Sequence, residues 1–377
     1  MALPDPPDPT SPSDPSSIFA ATGRGASSQH PRRGDADRVA VVVNGNAKNV
    51  TDEVIETLDD VLDSGDVFVS RRIEESDGIA RTLLDRGYGT ILTAGGDGTF
   101  TVIVTAVVRE AKRRGAPYPR FGLLRLGTGN SLAWVLGASK TGKGGRGRRA
   151  LSVDLARLRA DAGSRLLRLV EVEDTLSPFC GFGIDANVLR DFGATKQFLS
   201  HGPLARYSSG LLAYTLAAAT RTLPEYLVKP SPHCRVINRG SDAYRIGKRG
   251  SVVGAPIRKG NILYEGPATI AAIATIPYYG FGFRFFPYAE DRPDRMQLRI
   301  STAATVVFLR NLKEIWRGEW DDPEHIFDYF VDAIDVEMDP PTAFQIGGDV
   351  KGERRSASIK LTDPIPVVDF YAPPRGS

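Results

Sequence analysis

Two glycine-rich turns hold the residues best suited to chemistry in this sequence. In the first, TAGGDGTF at residues 93–100, Gly95, Gly96, Gly98 and Thr99 surround Asp97, with an apolar run on either side. In the second, LGTGN at residues 126–130, Gly127, Thr128, Gly129 and Asn130 follow another apolar run. Glycine lets the backbone take positive φ and approach a ligand closely. The exposed amides and the dipole of a following helix favour negative charge. An anion of the phosphate type suits such a turn. Tight packing alone would explain one glycine-rich turn; two in succession, the first enclosing a carboxylate, point to a phosphate site.

These turns need a sheet to present them. RVAVVVN at 38–44 is a continuous β-branched run, the pattern of a strand buried on both faces. Val54, Leu58 and Val61, flanked by Ile55 and Leu62, form a helical stripe, with Thr51 as N-cap and Gly65 beyond the last turn. DVFVS then reads as a strand, DGIARTLLDRG as a helix, GTILTA as a strand and TFTVIVTAVVREAKRRG as a helix with a basic last turn. RFGLLRL makes a fourth strand, and GTGNSLAWVLG turns into a helix. The alternation predicts a parallel sheet covered by helices, with both glycine turns at the carboxyl ends of its strands, where open α/β sheets bind ligands.

With NGNAKN after the first strand, GGDGT after the third and LGTGN after the fourth, the sequence resembles the diacylglycerol kinase catalytic domain family, which includes bacterial lipid kinases and the sphingosine and ceramide kinases. VDLARL (153–158), GFGIDANV (181–188), GPLARYSSGLLAYTLAAATRTL (202–223) and GFRFFPYAEDRPDRMQLRI (282–300) resemble later segments of those kinases, so the likeness runs over about residues 38–370. It implies an α/β nucleotide-binding domain followed by a mostly antiparallel β-sandwich domain, with ATP in the cleft between them. Short β-type runs such as ATIAAIATI and MQLRIS agree with the second domain. The expected organisation is a Pro/Ser-rich tail over 1–37, the nucleotide-binding domain over 38–150, a lipid-binding sandwich over 151–345, and a segment over 346–377 that closes the cleft or returns to the first domain.

The resemblance also assigns roles. Asn44, Gly95, Gly96, Asp97, Gly98, Thr99, Gly127, Thr128, Gly129 and Asn130 would cradle the phosphates and ribose of ATP. Asp97 would hold Mg2+, through water, as suits a hard cation that keeps much of its hydration shell. Asp185 corresponds to a position near the lipid head group in sphingosine-type members; a carboxylate capping a local turn is the alternative. The expected activity is transfer of the ATP γ-phosphate to a lipid hydroxyl. An NAD kinase, which shares the GGDGT turn, is disfavoured by the LGTGN turn and the 202–223 segment.

The sequence departs from the family at several points. Phe100, Thr101 and Val102 stand where a polar or acidic pair is usual, Arg125 replaces a proline, and Ser131 an aspartate. Near the C-terminus the family carries Asp-Gly-Glu, whose aspartate serves as base or in the metal network, whereas FQIGGDVKGERR puts Gly347, Gly348 and Asp349 on those positions. A two-residue shift along a strand moves a side chain by about 7 Å. Asp349 can therefore act as the catalytic carboxylate only if the backbone draws it inward, as a bulge at the glycine pair would. A pseudokinase that binds nucleotide or lipid without turnover is the competing reading.

Composition narrows the remaining classes. The chain has 377 residues, 41% of them hydrophobic, and a net charge of only +3, which commits it to no polyanion as a whole. Six prolines in the first fifteen residues, followed by Ser, Gly and Asp, leave the first 37 residues little to bury; disorder is expected there, and no secretion signal. No apolar run reaches the length of a membrane span. Cys180 and Cys234 form no disulfide framework, and His233 beside Cys234 has no partner pair at zinc spacing. A cytoplasmic protein is expected. KTGKGGRGRR at 140–149 carries five cations and no acid, so it is either a solvated loop or a contact with the anionic inner membrane surface. No aromatics interleave with these cations, so nucleic acid is not an expected partner. YYGFGFRFFPY at 278–288 suits core packing or the lining of an acyl-chain pocket.

Overall fold

The computed structural model describes residues 38–371 except 48–49, 52–53, 57, 59–65, 127–129, 139–144, 160–162, 188, 190–229 and 280–281. The valines of β1 (Val39–Asn44) are buried on both faces, because β1 lies inside a parallel sheet between β2 (Val67–Ser70) and β3 (Thr90–Gly95). Of the helix expected after β1, the described part is helical and buries Val54 and Leu58, while Val61 and Leu62 lie outside the described residues. Helix α1 (Ser76–Asp85) leads from β2 to β3, and α2 (Asp97–Arg114) leads from β3 to β4 (Arg120–Arg125), again parallel. Lys112, Arg113 and Arg114 oppose the dipole in the last turn of α2, and Gly115 ends it with a left-handed φ of 64°. Next come α3 (Ser131–Leu136), α4 (Gly145–Arg159) and β5 (Gly163–Leu167).

The chain then builds a second, antiparallel sheet of twelve strands: β6 (Val170–Val172), β7 (Thr175–Ser177), β8 (Phe179–Gly183), β9 (His233–Asn238), β10 (Ala243–Ile246), β11 (Val252–Ile257), β12 (Ile262–Pro267), β13 (Ile270–Ala274), β14 (Met296–Ser301), β15 (Ile326–Val331), β16 (Ala333–Ile346) and β17 (Asp349–Leu361). Two short helices, α5 (Thr305–Arg310) and α6 (Leu312–Arg317), lie between β14 and β15. The long strand β16 explains how one sheet becomes two layers. One of its edges pairs with β17; the other pairs with β9 over Ile334–Asp339 and with β8 over Phe344–Ile346. The β9–β12 branch and the β8–β13–β14–β15–β10–β11 branch thus diverge and enclose a common core of Cys180, Phe182, Cys234, Val236, Ile273 and Phe344.

The last strand, β18 (Ile365–Asp369), returns to the first sheet, giving the order β2-β1-β3-β4-β18-β5. The two sheets share a core. Along β13, Ile270, Ala272 and Ala274 face the core common to the parallel sheet, while Ala271 and Ile273 face the interior of the second sheet, the period-two alternation of a strand buried on both sides. Helix α2 also touches β7, where the Leu176 amide donates to Thr105 Oγ1 at 2.9 Å. The N-terminus of α2 is thereby fixed between the two sheets. No helix among the described residues is long and apolar enough to cross a membrane.

Candidate active site

The first glycine turn sits where β3 hands over to α2. Gly96 is the N-cap of α2 and offers no side-chain acceptor, so the first-turn amides face outward as donors for a ligand. Gly95 is demanded by space: a Cβ there would lie 2.3 Å from Thr99 Oγ1. That hydroxyl accepts a hydrogen bond of 3.1 Å from Asn44 Nδ2, and Asn44 Oδ1 accepts the Asn46 amide at 2.9 Å. Asn44, Gly95 and Thr99 are therefore brought together at the ends of two neighbouring strands.

Asp97 joins this turn to α3. Its carboxylate accepts the Ser131 amide at 2.7 Å and the Leu132 amide at 3.1 Å, so it caps the N-terminus of α3 from another element. Gly127, Thr128 and Gly129 lie outside the described residues, while Asn130 is buried as the N-cap of α3. Burial of Asp97 pushes its pKa up to about 6, against the opposing pull of the two amides and of Arg125. Among the described residues no group of three His, Cys, Asp or Glu side chains is placed to hold a metal ion.

The Gly347–Gly348 pair is a hairpin turn between β16 and β17. Both residues have positive φ, 60° and 88°, as a two-residue type I′ turn requires, and Ile346 pairs with Asp349 across it. The bulge expected at the glycines lies instead between Ala343 and Gln345. The turn carries Asp349 to the glycine turn of α2: a Cβ built on Gly98 would lie 3.7 and 3.9 Å from the two Asp349 carboxylate oxygens. Asp349 is exposed on one side, and desolvation on the other raises its pKa while Lys351 opposes the shift. Restoring an acid by Gly347→Asp is accordingly expected to fail. The added Cβ would meet Ser177 Oγ at 2.9 Å and Thr101 Oγ1 at 3.0 Å, on a backbone with φ of 60°. A stability loss of about 1–2 kcal/mol, read as a lower urea midpoint, with no gain in turnover is the expected outcome.

Asp185 lies behind the hairpin rather than at its mouth. It follows β8, is 8% exposed, and accepts the hydroxyl proton of Tyr279. Gln345 Nε2 donates to both Asp185 Oδ2 and the Tyr279 oxygen, and Gln345 Oε1 accepts the Gly348 amide at 2.8 Å. Asp185 Oδ1 is buried without a hydrogen-bond partner among the described residues, and burial raises the carboxyl pKa. Gly181, paired with Gln345 across β8 and β16, leaves room for the network, since a Cβ there would come within 3.1 Å of the Tyr279 hydroxyl. Neither Tyr279 nor Gln345 was signalled as a site residue by sequence. Tyr279 sits in the aromatic run, whose rings pack together as core at centroid distances of 5.6 Å to Phe285 and 5.3 Å to Phe286. Gln345 is a lone amide in an apolar strand next to the glycine pair.

Of the basic run at 140–149, residues 140–144 lie outside the described residues and 145–149 begin α4. The segment 202–223 also lies outside them.

Comparisons with known proteins agree with this architecture. Residues 38–156 match the model of the diacylglycerol kinase catalytic domain. The diacylglycerol kinase theta proteins of Mus musculus and Rattus norvegicus are each 30% identical over a 126-residue alignment that covers 28% of this chain and only 13% of the relative. Over most of the chain, the fold is that of crystal structures from Bacillus anthracis ascribed to the diacylglycerol kinases. One matches with a TM-score of 0.58 at 14% identity, covering 88% of this chain and 95% of its own; another matches with a TM-score of 0.53 at 13% identity, covering 88% and 97%. At such identity the likeness speaks for the fold. The first glycine turn and the helix that follows it lie inside the segment, residues 38–156, that is similar to the diacylglycerol kinase catalytic domain.

Proposed function

We propose that the protein is an ATP-dependent lipid kinase that transfers the γ-phosphate to a hydroxyl of a diacylglycerol- or sphingosine-like lipid. The observation that carries this reading is the approach of Asp349 to Gly98, which puts a carboxylate of raised pKa at the mouth of an open helix N-terminus. Phosphoryl transfer asks a protein mainly to position its reactants and neutralise developing charge. The amides of Gly96–Thr99 and the α2 dipole receive phosphate oxygens, and Asn44 holds Thr99 so that the turn keeps its shape. Asp97 locks this turn to the N-terminus of α3. Asp349 takes the proton of the acceptor hydroxyl, and the Gln345 bond to Gly348 holds its turn.

ATP supplies the transferred group, and a divalent cation bound with it neutralises charge on the phosphates. The residues fit a largely hydrated cation. Asp97, whose two oxygens accept the Ser131 and Leu132 amides, would hold the cation through water, and Asp349, which accepts no such amide among the described residues, would stay free for the acceptor proton. To Asp185, one oxygen of which lacks a donor among the described residues, this reading assigns the acceptor-lipid side.

Transfer of labelled phosphate from ATP to diacylglycerol or sphingosine in mixed micelles tests the reading. Phosphorylated lipid that needs both ATP and Mg2+ is expected, and absence of product with every lipid hydroxyl acceptor would leave a binding protein. The pH profile adds a sign. Asp97 works ionised and its pKa is raised to about 6, so kcat/KM should fall as pH drops through about 6, and the raised pKa of Asp349 acts in the same direction. Stability runs the other way through Asp97. Its folded pKa lies above its unfolded value, so ionising it costs stability progressively between about pH 4 and 6. An acid limb that matched unfolding instead of opposing it would contradict the assignment.

A further inference from the structure

The edge of the second sheet farthest from β17 has an unusual surface. Among the described residues β11 pairs only with β10, and all residues from Ser251 to Pro256 are exposed, as are those from Arg258 to Ile262. Val252 and Val253 are each 40% exposed and Ile262 41%, three of the few large apolar side chains left in the open among the described residues. Lys248, Arg249, Arg258 and Lys259 bracket the strand, and none of them makes an ion pair among the described residues. Elsewhere on the same sheet Arg235, Arg239 and Arg354 each face a carboxylate. From Ala243 to Tyr264 the sequence contains five cations, Arg245 included, and no acid; Asp242 and Glu265 stand at its two ends, and Asp291 lies beside Gly250.

We infer that this β10–β12 arm docks the protein onto an anionic lipid bilayer. Exposed valines flanked by free cations match the two layers of such a surface: the charges meet the headgroups while the apolar side chains enter the interface. A protein strand added to the free edge would instead use backbone pairing and gain nothing from four unpaired cations. The arm also connects with the acceptor side. Tyr288 packs against Gly250 of its basic turn, and Phe286, two residues earlier, lies 5.3 Å from Tyr279, which bonds Asp185. The inference rests on the lipid-kinase reading for its purpose, while the binding it describes is measured without turnover.

Cosedimentation of the full chain with vesicles of phosphatidylcholine, alone or mixed with phosphatidylglycerol, is the test. Binding only to the mixed vesicles, weakened by salt, is expected. The variant K248Q/R249N/R258Q/K259Q should bind at least tenfold more weakly; Asn is chosen at 249 because φ there is 56°. V252S/V253S should also weaken binding, at unchanged charge, and R258Q/K259Q, confined to an open turn, gives a reading if the larger variant misfolds. All three should phosphorylate lipid in detergent micelles like wild type, which separates failure of the docking idea from failure of the kinase reading. Equal vesicle binding by wild type and variants overturns the inference. So does loss of binding only when Lys143, Arg146, Arg148 and Arg149 are replaced, or a dimer in ultracentrifugation that V252S/V253S dissociates without any effect on vesicles.

Discussion

Asp349→Asn is expected to lower kcat by about 10² to 10⁴, the usual worth of a positioned general base, while the Kd for ATP stays near its wild-type value. Asparagine keeps the shape of the side chain and the hairpin turn but cannot accept the acceptor proton. The expectation follows from position. A hairpin with positive φ at Gly347 and Gly348 delivers the Asp349 carboxylate next to Gly98. Titration calorimetry with ATP alongside single-turnover phosphorylation separates binding from chemistry. Gln345→Ala provides a graded companion: it frees the Gly348 amide and lets Asp349 wander, so kcat should fall with little change in the KM for ATP. Full turnover by Asp349→Asn would remove this residue from the mechanism, and no turnover by wild type would make the chain a pseudokinase.

Much of the first sheet is legible in the sequence, because its strands are continuous apolar runs and its turns are glycines with a local reason to be there. β1, β3 and β4, together with α2 and its basic last turn, follow from periodicity and end signals alone. β5 and β18 do not. β5 is short, with Leu166 69% exposed, and its partner comes from the far end of the chain, so no local pattern announces the pair. The same limit hides the partners of Asp185, which the sequence names alone. Asp185, Tyr279 and Gln345 meet from segments 94, 66 and 160 residues apart, and none has a spacing that binds it to the others. Gly347 and Gly348 read in one dimension as a lost acid. In three dimensions they are a turn that only residues tolerant of positive φ can make.

The largest stability effect is expected beneath the aromatic segment. Arg299 and Asp328 stand directly opposite each other on β14 and β15, and the guanidinium donates to both carboxylate oxygens, at 2.8 Å from Nε and 2.6 Å from the terminal nitrogen. The arginine side chain is only 2% exposed. Asp328→Ala would strand a buried cation and should cost about 3–5 kcal/mol, seen as a large drop in the urea midpoint. A simple pair could be exchanged for apolar residues at little cost, so Arg299→Met with Asp328→Leu would be near neutral if nothing else took part. A third side chain decides otherwise. Gln297 Nε2 donates to Asp328 at 3.0 Å, and Gln297 Oε1 accepts the Tyr288 amide at 2.9 Å. The double variant leaves the buried Gln297 amide without its acceptor, a loss of about 1–3 kcal/mol, and it loosens Tyr288, which packs against Gly250 in the basic arm. The double variant should therefore be more stable than Asp328→Ala yet less stable than wild type, with weaker vesicle binding. Wild-type stability in the double variant would show that Gln297 can re-pair and that the pair stands alone.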